Sequence, residues 1–305
     1  MLRSVIRLLV DHPRMTALLG ALSISFSGVL YLYADVSSET ASFYRCLWGL
    51  PIIAFAAWYE RRERQAAMPR RAVLLAAFAG LLFAGDLIFW HHTIDAVGAG
   101  LATVLGNLQV VFVAIAAWML FGERPSARTL VALPIVLSGV VLIAGVLGGD
   151  NYGADPSLGV VLGILTALCY AGYLLIIRQV SRRTIAEPVA VSTASTAVIA
   201  LAIGLSLGSI ELFPGVESMF WLIVLGISAQ SLGYLFISIA LPRLPAVVTS
   251  IILLAQPVLA VLFAIVLVGE APSAGQLLGV ALVIGGIALA TIPLGALRRR
   301  MAPAI

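Results

Sequence analysis

The sequence predicts an all-α polytopic membrane protein, in which ten transmembrane helices form two inverted repeats of five helices each. Three observations predict this fold class: long uncharged windows, the placement of the arginines, and a stretch of sequence that occurs twice. Of the 305 residues, 62% are hydrophobic and only 10% are charged, and the mean hydropathy is +1.11. A soluble domain carries about 25% charged residues, so we expect most of this surface to face lipid.

Ten windows are apolar and nearly free of charge, and each is close to the roughly 20 residues that a helix needs to cross the hydrocarbon core. Asp95 separates the third window from the fourth. We interpret the first window as a retained helix and not as a cleaved signal peptide, because no convincing small-residue cleavage site follows it. In chain order, the windows are residues 15–34, 40–59, 72–93, 97–121, 128–147, 158–178, 188–210, 217–241, 245–269 and 274–297.

The basic residues test this helix count. All 18 are Arg, and they cluster between the apolar windows. If the N-terminus is cytoplasmic and the windows alternate in direction, the cytoplasmic segments hold every Arg except Arg45. The opposite segments hold acidic residues and no Arg, and a wrong helix count would scramble this division. The positive-inside rule therefore predicts ten helices, with both termini in the cytoplasm.

A short motif appears once in each half of the chain. Residues 122–127 read Gly-Glu-Arg-Pro-Ser-Ala, and residues 269–274 read Gly-Glu-Ala-Pro-Ser-Ala. Because five helices is an odd number, the second half enters the membrane from the opposite side, which makes the repeat inverted. The expected units are a first repeat at 1–149, a second at 156–297 and a basic cytoplasmic tail at 298–305.

These features resemble the drug/metabolite transporter superfamily, EamA type. The most specific elements are residues 120–125 (Leu-Phe-Gly-Glu-Arg-Pro) and 268–272 (Val-Gly-Glu-Ala-Pro). Residues 148–151 (Gly-Gly-Asp-Asn) resemble the YddG-type exporters of aromatic amino acids and toxic cations, although Gln109-Val110 stands where those exporters carry Trp-Pro.

The resemblance implies a secondary transporter of a bacterial inner membrane. Such a protein would export amino acids, aromatic or other neutral, and related metabolites by alternating access through a central cavity, without ATP. Efflux of drugs or organic cations, exchange of nucleotide-sugar-like substrates and, less favoured, a channel are the alternatives. The expected partners are a small-molecule substrate and the lipid bilayer.

The sequence gives no sign of enzyme chemistry. It contains no HExxH, P-loop or Gly-x-Ser-x-Gly motif. His91 and His92 are adjacent, so on a helix they point about 100° apart and cannot face one metal ion. We therefore predict that the protein is not an enzyme and holds no metal or cofactor. The sequence pI of about 9.4 does not indicate nucleic-acid binding, because the arginines cluster at the ends of apolar spans.

Asp86 is the one carboxylate that lies well inside a predicted span. Such a residue is costly in lipid and usually faces a cavity or pairs with a charge. Arg45 lies at a similar depth in the preceding helix, so one hypothesis is a structural ion pair. The other is that Asp86 lines the transport route and binds a substrate ammonium or a proton. The third hypothesis is that the Asp86 side chain extends towards the outer membrane interface.

Amides and aromatic residues within the spans complete the candidate site. Gln109 and Gln256 occupy equivalent positions of the two repeats, where they bind either substrate or a neighbouring helix. Tyr170 and Tyr173 share a helix face. Trp90 shares a face with Asp86, and the alternative for Trp90 is the lipid interface. The predicted substrate-binding residues are Phe26, Ser27, Asp86, Trp90, Asn107, Gln109, Tyr170, Tyr173, Tyr234 and Gln256.

Two further predictions concern the scaffold. Glu123 and Glu270 precede a proline in the repeated motif, and we expect them to cap helices through local amide partners. Glycines in the fifth and tenth helices should permit close helix packing. These glycines are Gly139, Gly145, Gly149, Gly275, Gly279, Gly285 and Gly286.

Overall fold

A computed structural model describes residues 9–64, 68–121, 127–144, 152–181, 184, 186–240, 243–244 and 246–291. Glu123, Gly145, the whole run at 148–151 and the tail at 298–305 lie outside these residues. Within them, all regular secondary structure is helical, which confirms the all-α class.

Ten apolar helices follow one another along the described chain, and each overlaps one predicted window. Six of them are long and apolar enough to span a membrane and four are shorter, so the count of ten crossings stays a prediction. The helices are α1 (Pro13–Ser25 and Ser27–Ala34), α2 (Ser38–Arg64), α3 (Arg70–Val97), α4 (Ala99–Gly106 and Gln109–Phe121), α5 (Ala127–Ile143), α6 (Pro156–Val180), α7 (Ala186–Leu207), α8 (Val216–Leu225, Gly226–Gly233 and Tyr234–Ala240), α9 (Ala246–Phe263 and Ala264–Val268) and α10 (Ala274–Thr291).

Four of these helices are interrupted. Phe26 separates the two parts of α1, and Asn107 and Leu108 separate the two parts of α4. The middle of α8, Gly226–Gly233, and the end of α9, Ala264–Val268, wind as the wider π-helix. Breaks and π-segments of membrane helices often lie beside functional sites, because they free backbone groups and redirect side chains.

The helices of the two halves pack mainly against each other. α3 contacts α6 and α7, and α8 contacts α1 and α2. α1 contacts α9, and α6 contacts α4. The pairs α2–α7, α4–α9 and α5–α10 are the other main contacts between the halves. Each helix of the first half corresponds to the helix five places later in the second half. When corresponding helices are exchanged, the same set of contacting pairs results.

Glycines bring α5 and α10 into backbone contact. A methyl carbon at Gly139 would lie 2.6 Å from the carbonyl oxygen of Gly279, and one at Gly279 would lie 2.7 Å from that of Gly139. Gly286 also meets the α5 helix closely. The predicted close packing is wrong for Gly275 and Gly285, since Gly275 is near only a serine side chain at 3.8 Å and Gly285 has no neighbour within 4 Å.

Glu270 caps the first turn of α4. The backbone N–H of Ala99 donates to Glu270 Oε1 at 2.5 Å, and that of Gly100 donates to Oε2 at 3.2 Å. Burial raises the pKa of Glu270, and the two amide hydrogen bonds act in the opposite direction. The predicted capping role is confirmed, but the predicted local partners are wrong, because the α9–α10 connection lies against the start of α4.

The described part of the segment between the two halves is hydrogen-bonded to the same side of the bundle as Glu270. Gln276 Oε1 accepts from the backbone N–H of Tyr152 at 2.9 Å, and its Nε2 donates to the Tyr152 carbonyl at 2.8 Å. The backbone N–H of Asp155 donates to the carbonyl of Ala96 at 3.1 Å. The Asp155 carboxylate caps α6 by accepting from Leu158. Backbone hydrogen bonds of this segment are therefore satisfied at the ends of α3 and α10.

The α5–α10 contact predicts a large difference between two glycine substitutions. Gly139→Ala adds a methyl group against a backbone oxygen, and such overpacking costs about 1–3 kcal/mol. We expect a lower thermal midpoint for the detergent-purified protein. Gly285→Ala is the matched control and should leave the midpoint unchanged, because open space surrounds that position. Equal midpoints for the two variants would contradict this packing.

The Glu270 cap predicts a second stability difference. Glu270→Ala leaves two amides of α4 without an acceptor, and loss of a helix cap costs about 0.5–2 kcal/mol. The thermal midpoint should fall, and Glu270→Gln should restore part of it because the amide oxygen still accepts. Glu211→Ala removes an exposed carboxylate and is the control. A midpoint that moves as little in Glu270→Ala as in Glu211→Ala would exclude the cap as a stabilising contact.

Candidate functional site

Asp86 and Arg45 are buried in the same part of the bundle without touching. Asp86 lies on α3 with 7% of its surface exposed, and Arg45 lies on α2 with 3% exposed. Their side chains form no ion pair within the 4.0 Å limit in the described part of the chain. Arg45 is nevertheless the charged residue that acts electrostatically on Asp86. The direct ion pair, one of the three hypotheses from the sequence, is therefore absent from this structure.

Arg45 is held by three other helices. Its Nε donates to Gln230 Oε1 at 3.1 Å, and its guanidinium carbon lies 5.6 Å from the ring centroid of Trp90. Gln230 Nε2 in turn donates to Thr193 Oγ1 at 3.4 Å. Gln230 belongs to the π-segment of α8, and it approaches α2 at Gly49, where a methyl carbon would lie 2.6 Å from Gln230 Cγ.

Four aromatic rings pack beside these charges. The ring centroid of Phe83 lies 4.6 Å from that of Tyr173, 5.9 Å from that of Tyr234 and 6.3 Å from that of Tyr170. The hydroxyl oxygens of Tyr170 and Tyr234 are 3.4 Å apart. Phe83, Asp86 and Trp90 follow one another at successive turns of α3, and Trp90 lies against the Arg45 guanidinium, so the charges and the rings form one site.

We call this site the central cluster. It unites Arg45, predicted as the partner of Asp86, with five of the predicted substrate-binding residues: Asp86, Trp90, Tyr170, Tyr173 and Tyr234. Sequence reasoning missed three members, although two had a usable signal. Phe83 precedes Asp86 by one helical turn on the same face, and Gln230 is an amide within an apolar helix. The central cluster consists of Arg45, Phe83, Asp86, Trp90, Tyr170, Tyr173, Thr193, Gln230 and Tyr234.

Other predicted residues lie at the break of α1, beside α9. The ring of Phe26 stacks on that of Phe263 at a centroid distance of 4.1 Å. The Ser25 hydroxyl donates to the backbone carbonyl of Gln256 at 3.2 Å. The Ser27 hydroxyl donates to the backbone carbonyl of Ile24 in its own helix. These contacts join α1 to α9, and they involve no member of the central cluster.

The last two predicted residues lie at the break of α4. Asn107 Nδ2 donates to the carbonyl of Thr103 at 2.8 Å, which satisfies a backbone group of the interrupted helix. Gln109 Oε1 is enclosed and has no hydrogen-bond partner in the described part of the chain. The predicted substrate-binding residues are therefore divided between the central cluster and the breaks of α1 and α4.

A polar network joins α1, α2 and α3 near one end of the bundle. The hydroxyl of Tyr31 lies 2.8 and 3.0 Å from the two carboxylate oxygens of Asp95, and its ring stacks on His91 at 4.4 Å. Ser42 Oγ lies 2.9 Å from Nδ1 of the fully buried His91. Tyr31 is 4% exposed, so its ring packs inside the bundle. No three potential metal ligands converge anywhere in the described ranges.

Comparison with known proteins places the chain in a family. Residues 14–145 and residues 157–292 each match the model of the EamA-like transporter family. The chain is 27% identical over 166 residues to an uncharacterized transporter of Synechocystis, a match that covers 52% of this chain and 50% of that protein. It is 30% identical over 236 residues to an uncharacterized protein of Pseudomonas aeruginosa, covering 76% and 77% of the two chains. An uncharacterized transporter of Archaeoglobus fulgidus is 25% identical over 233 residues, a match that covers 74% of this chain and 78% of that protein.

A solved crystal structure has the same fold. It aligns with a TM-score of 0.62 over 91% of this chain and 98% of its own, at 21% sequence identity. At that identity the likeness shows the fold alone. The family matches and the names of the relatives indicate a transporter, not an enzyme. The predicted drug/metabolite transporter superfamily is confirmed, and the chain belongs to its EamA-like transporter family of multi-pass membrane proteins.

Proposed function

We propose that this transporter is a secondary carrier that exports amino acids, aromatic or other neutral, and related small metabolites by alternating access. The observation that supports this proposal is the unpaired Asp86 within the aromatic central cluster. The Asp86 carboxylate accepts no hydrogen bond from the described residues, and the residue retains 7% of its surface. An unpaired charge inside a membrane protein is costly, so we infer that a ligand supplies its partner.

Both halves of the chain contribute to the central cluster. Arg45 and Asp86 lie on α2 and α3, while Tyr170 and Gln230 lie on α6 and α8. Carriers with inverted repeats bind substrate between their halves and expose it alternately to the two sides. The exchange symmetry of the helix contacts supports our proposal that 1–149 and 156–297 are inverted repeats.

The chemistry of the central cluster suits a small molecule with an ammonium group and an apolar side chain. Asp86 would accept the ammonium. Phe83, Tyr170 and Tyr234 offer apolar ring surface, and their ring faces can contact both neutral and cationic groups. We propose that Phe26, Ser27, Asn107, Gln109 and Gln256, at the breaks of α1 and α4 and on α9, line a further part of the route.

Efflux of an organic cation is the second candidate, and the aromatic rings around Asp86 favour it. Rings and a carboxylate together bind quaternary ammonium groups well. Arg45 opposes this candidate, because its buried positive charge lies in the same cluster and repels a permanent cation. An amino acid carries no net charge, so we favour it.

We further propose that the protein resides in a bacterial inner membrane with both termini in the cytoplasm. The positive-inside rule supports this orientation. Arg61 and Arg62 lie in the last turn of α2 and Arg178 lies in the last turn of α6, and we propose that these helix ends face the cytoplasm. The relation to YddG-type exporters stays a prediction from residues 148–151.

The proposed function predicts saturable transport by the purified protein. Proteoliposomes should take up labelled neutral amino acids with saturation, and excess internal amino acid should drive counterflow. A quaternary cation on the same panel should be taken up less well. Uptake measured with and without a pH gradient shows whether transport is coupled to protons. Flux that rises linearly with concentration would indicate a channel. Absence of uptake for every amino acid would exclude the substrate class.

The role of Asp86 predicts a selective loss of transport. Asp86→Asn removes the charge that binds the ammonium, and uptake efficiency should fall about 100-fold, as for the loss of one partner of a buried charge pair. Glu63→Gln, on the exposed inner end of α2, removes a carboxylate outside the site and serves as the control. Uptake by Asp86→Asn at the level of Glu63→Gln would show that Asp86 is structural.

A further inference from the structure

We infer that Arg45 binds the carboxylate of the substrate, so that Arg45 and Asp86 together select molecules with both an ammonium and a carboxylate group. This assignment rests on the proposed function and names the substrate chemistry of that same site. It gives Arg45 a ligand-binding role and explains why two opposite charges lie in one cluster without a contact.

The first observation is the unused hydrogen-bonding capacity of Arg45. A guanidinium has several N–H donors, and here only Nε has an acceptor, Gln230 Oε1. The terminal nitrogens donate to no described residue, and neither is fully shut off from accessible space. Arg45 as a whole residue is 3% exposed, and a buried charge is stable only when it is paired, so these groups need an acceptor. A carboxylate matches the planar fork of those nitrogens.

The second observation is that Arg45 is fixed in orientation. Gln230 accepts from Nε and donates to Thr193, so both ends of its amide are engaged and the Arg45–Gln230 hydrogen bond has a defined geometry. Trp90 lies against the guanidinium at 5.6 Å. A ring contact leaves the edge of the guanidinium, where the N–H groups point, free for an acceptor. These contacts make Arg45 a preorganised donor instead of a mobile charge.

The third observation is the gap between Arg45 and Asp86. Two buried charges with only a structural role would be expected to touch, because a direct contact offsets the cost of burial. Here no ion pair forms within 4.0 Å in the described part of the chain, although the electrostatic interaction is present. An α-amino acid carries its ammonium and carboxylate on one carbon. Such a molecule can give its ammonium to Asp86 and its carboxylate to Arg45, and each buried charge then has a partner.

This arrangement penalises ligands that carry only one of the two groups. An amine without a carboxylate leaves Arg45 unpaired, and an acid without an ammonium leaves Asp86 unpaired. A site built for a polar group rejects the analogue that lacks it, because the buried protein group stays unsatisfied. The rings of Phe83, Tyr170 and Tyr234 can contact an aromatic side chain, so phenylalanine and its truncated analogues are suitable probes.

The test is competition in proteoliposome counterflow of labelled L-phenylalanine. The competitors are unlabelled L-phenylalanine, phenethylamine, which lacks the carboxylate, and 3-phenylpropionate, which lacks the ammonium. In the wild-type protein, L-phenylalanine should compete about 100-fold better than either analogue. Arg45→Gln should remove the preference over phenethylamine, and Asp86→Asn should remove the preference over 3-phenylpropionate.

Three further variants separate this role from loss of folding. Arg45→Lys keeps the charge without the planar fork and should retain part of the preference for L-phenylalanine. Gln230→Leu frees the Arg45 side chain and should reduce that preference, since Gln230 is a positioning residue. Arg62→Gln removes an exposed Arg of the same helix and should leave all preferences unchanged. Thermal melting of each purified variant verifies that it is folded.

Two results would overturn the assignment while the proposed carrier function stands. One is a folded Arg45→Gln protein that prefers L-phenylalanine over phenethylamine as strongly as the wild type. The other is a wild-type protein that accepts phenethylamine as well as L-phenylalanine. A wild-type protein that carries the quaternary cation and no amino acid would overturn both the assignment and the proposed substrate class.

Discussion

The arrangement of the central cluster depends on two opposite charges that are buried in an apolar bundle and held apart. Arg45 cannot approach Asp86 freely, because Gln230 binds its Nε and Trp90 lies against its guanidinium. The Asp86 carboxylate on α3 accepts no hydrogen bond from the described residues. Charges kept unpaired in lipid surroundings are costly, and a ligand that carries both opposite charges removes that cost on binding. In the proposed function, the separation of the two charges therefore affects both the stability of the bundle and the choice of ligand.

The scaffold keeps these charges in place through close backbone contacts and remote caps. Glycines at 139 and 279 bring α5 and α10 together, and Glu270 ties the α9–α10 connection to the start of α4. The helices that carry the central cluster are instead α2, α3, α6, α7 and α8, of which α8 contains a π-segment. We infer that α5 and α10 form a rigid, closely packed interface, while the helices around the central cluster can move relative to one another. Alternating access requires such a division between fixed and moving parts.

The sequence predicted most of the helices, since lipid leaves the backbone no alternative to internal hydrogen bonds and the arginines mark the span ends. It also predicted that Asp86 shares a helix face with Trp90 and that Tyr170 shares one with Tyr173, because helical spacing defines a shared face. It did not predict Gln230 as the partner of Arg45. Periodicity shows which residues share a face, but not which helix that face meets, and the π-segment changes the register of α8. Phe26 and Gln256 were grouped with the site for the same reason, although they pack at the α1 break.

The most direct test is a crystal structure of the full chain with bound L-phenylalanine, or with the amino acid that it transports best. The account predicts ligand density between α2 and α3, with the ammonium at hydrogen-bonding distance from Asp86 and the carboxylate on the terminal nitrogens of Arg45. The Arg45–Gln230 hydrogen bond should persist. A structure in which Arg45 and Asp86 contact each other directly, with the amino acid bound elsewhere, would contradict the account.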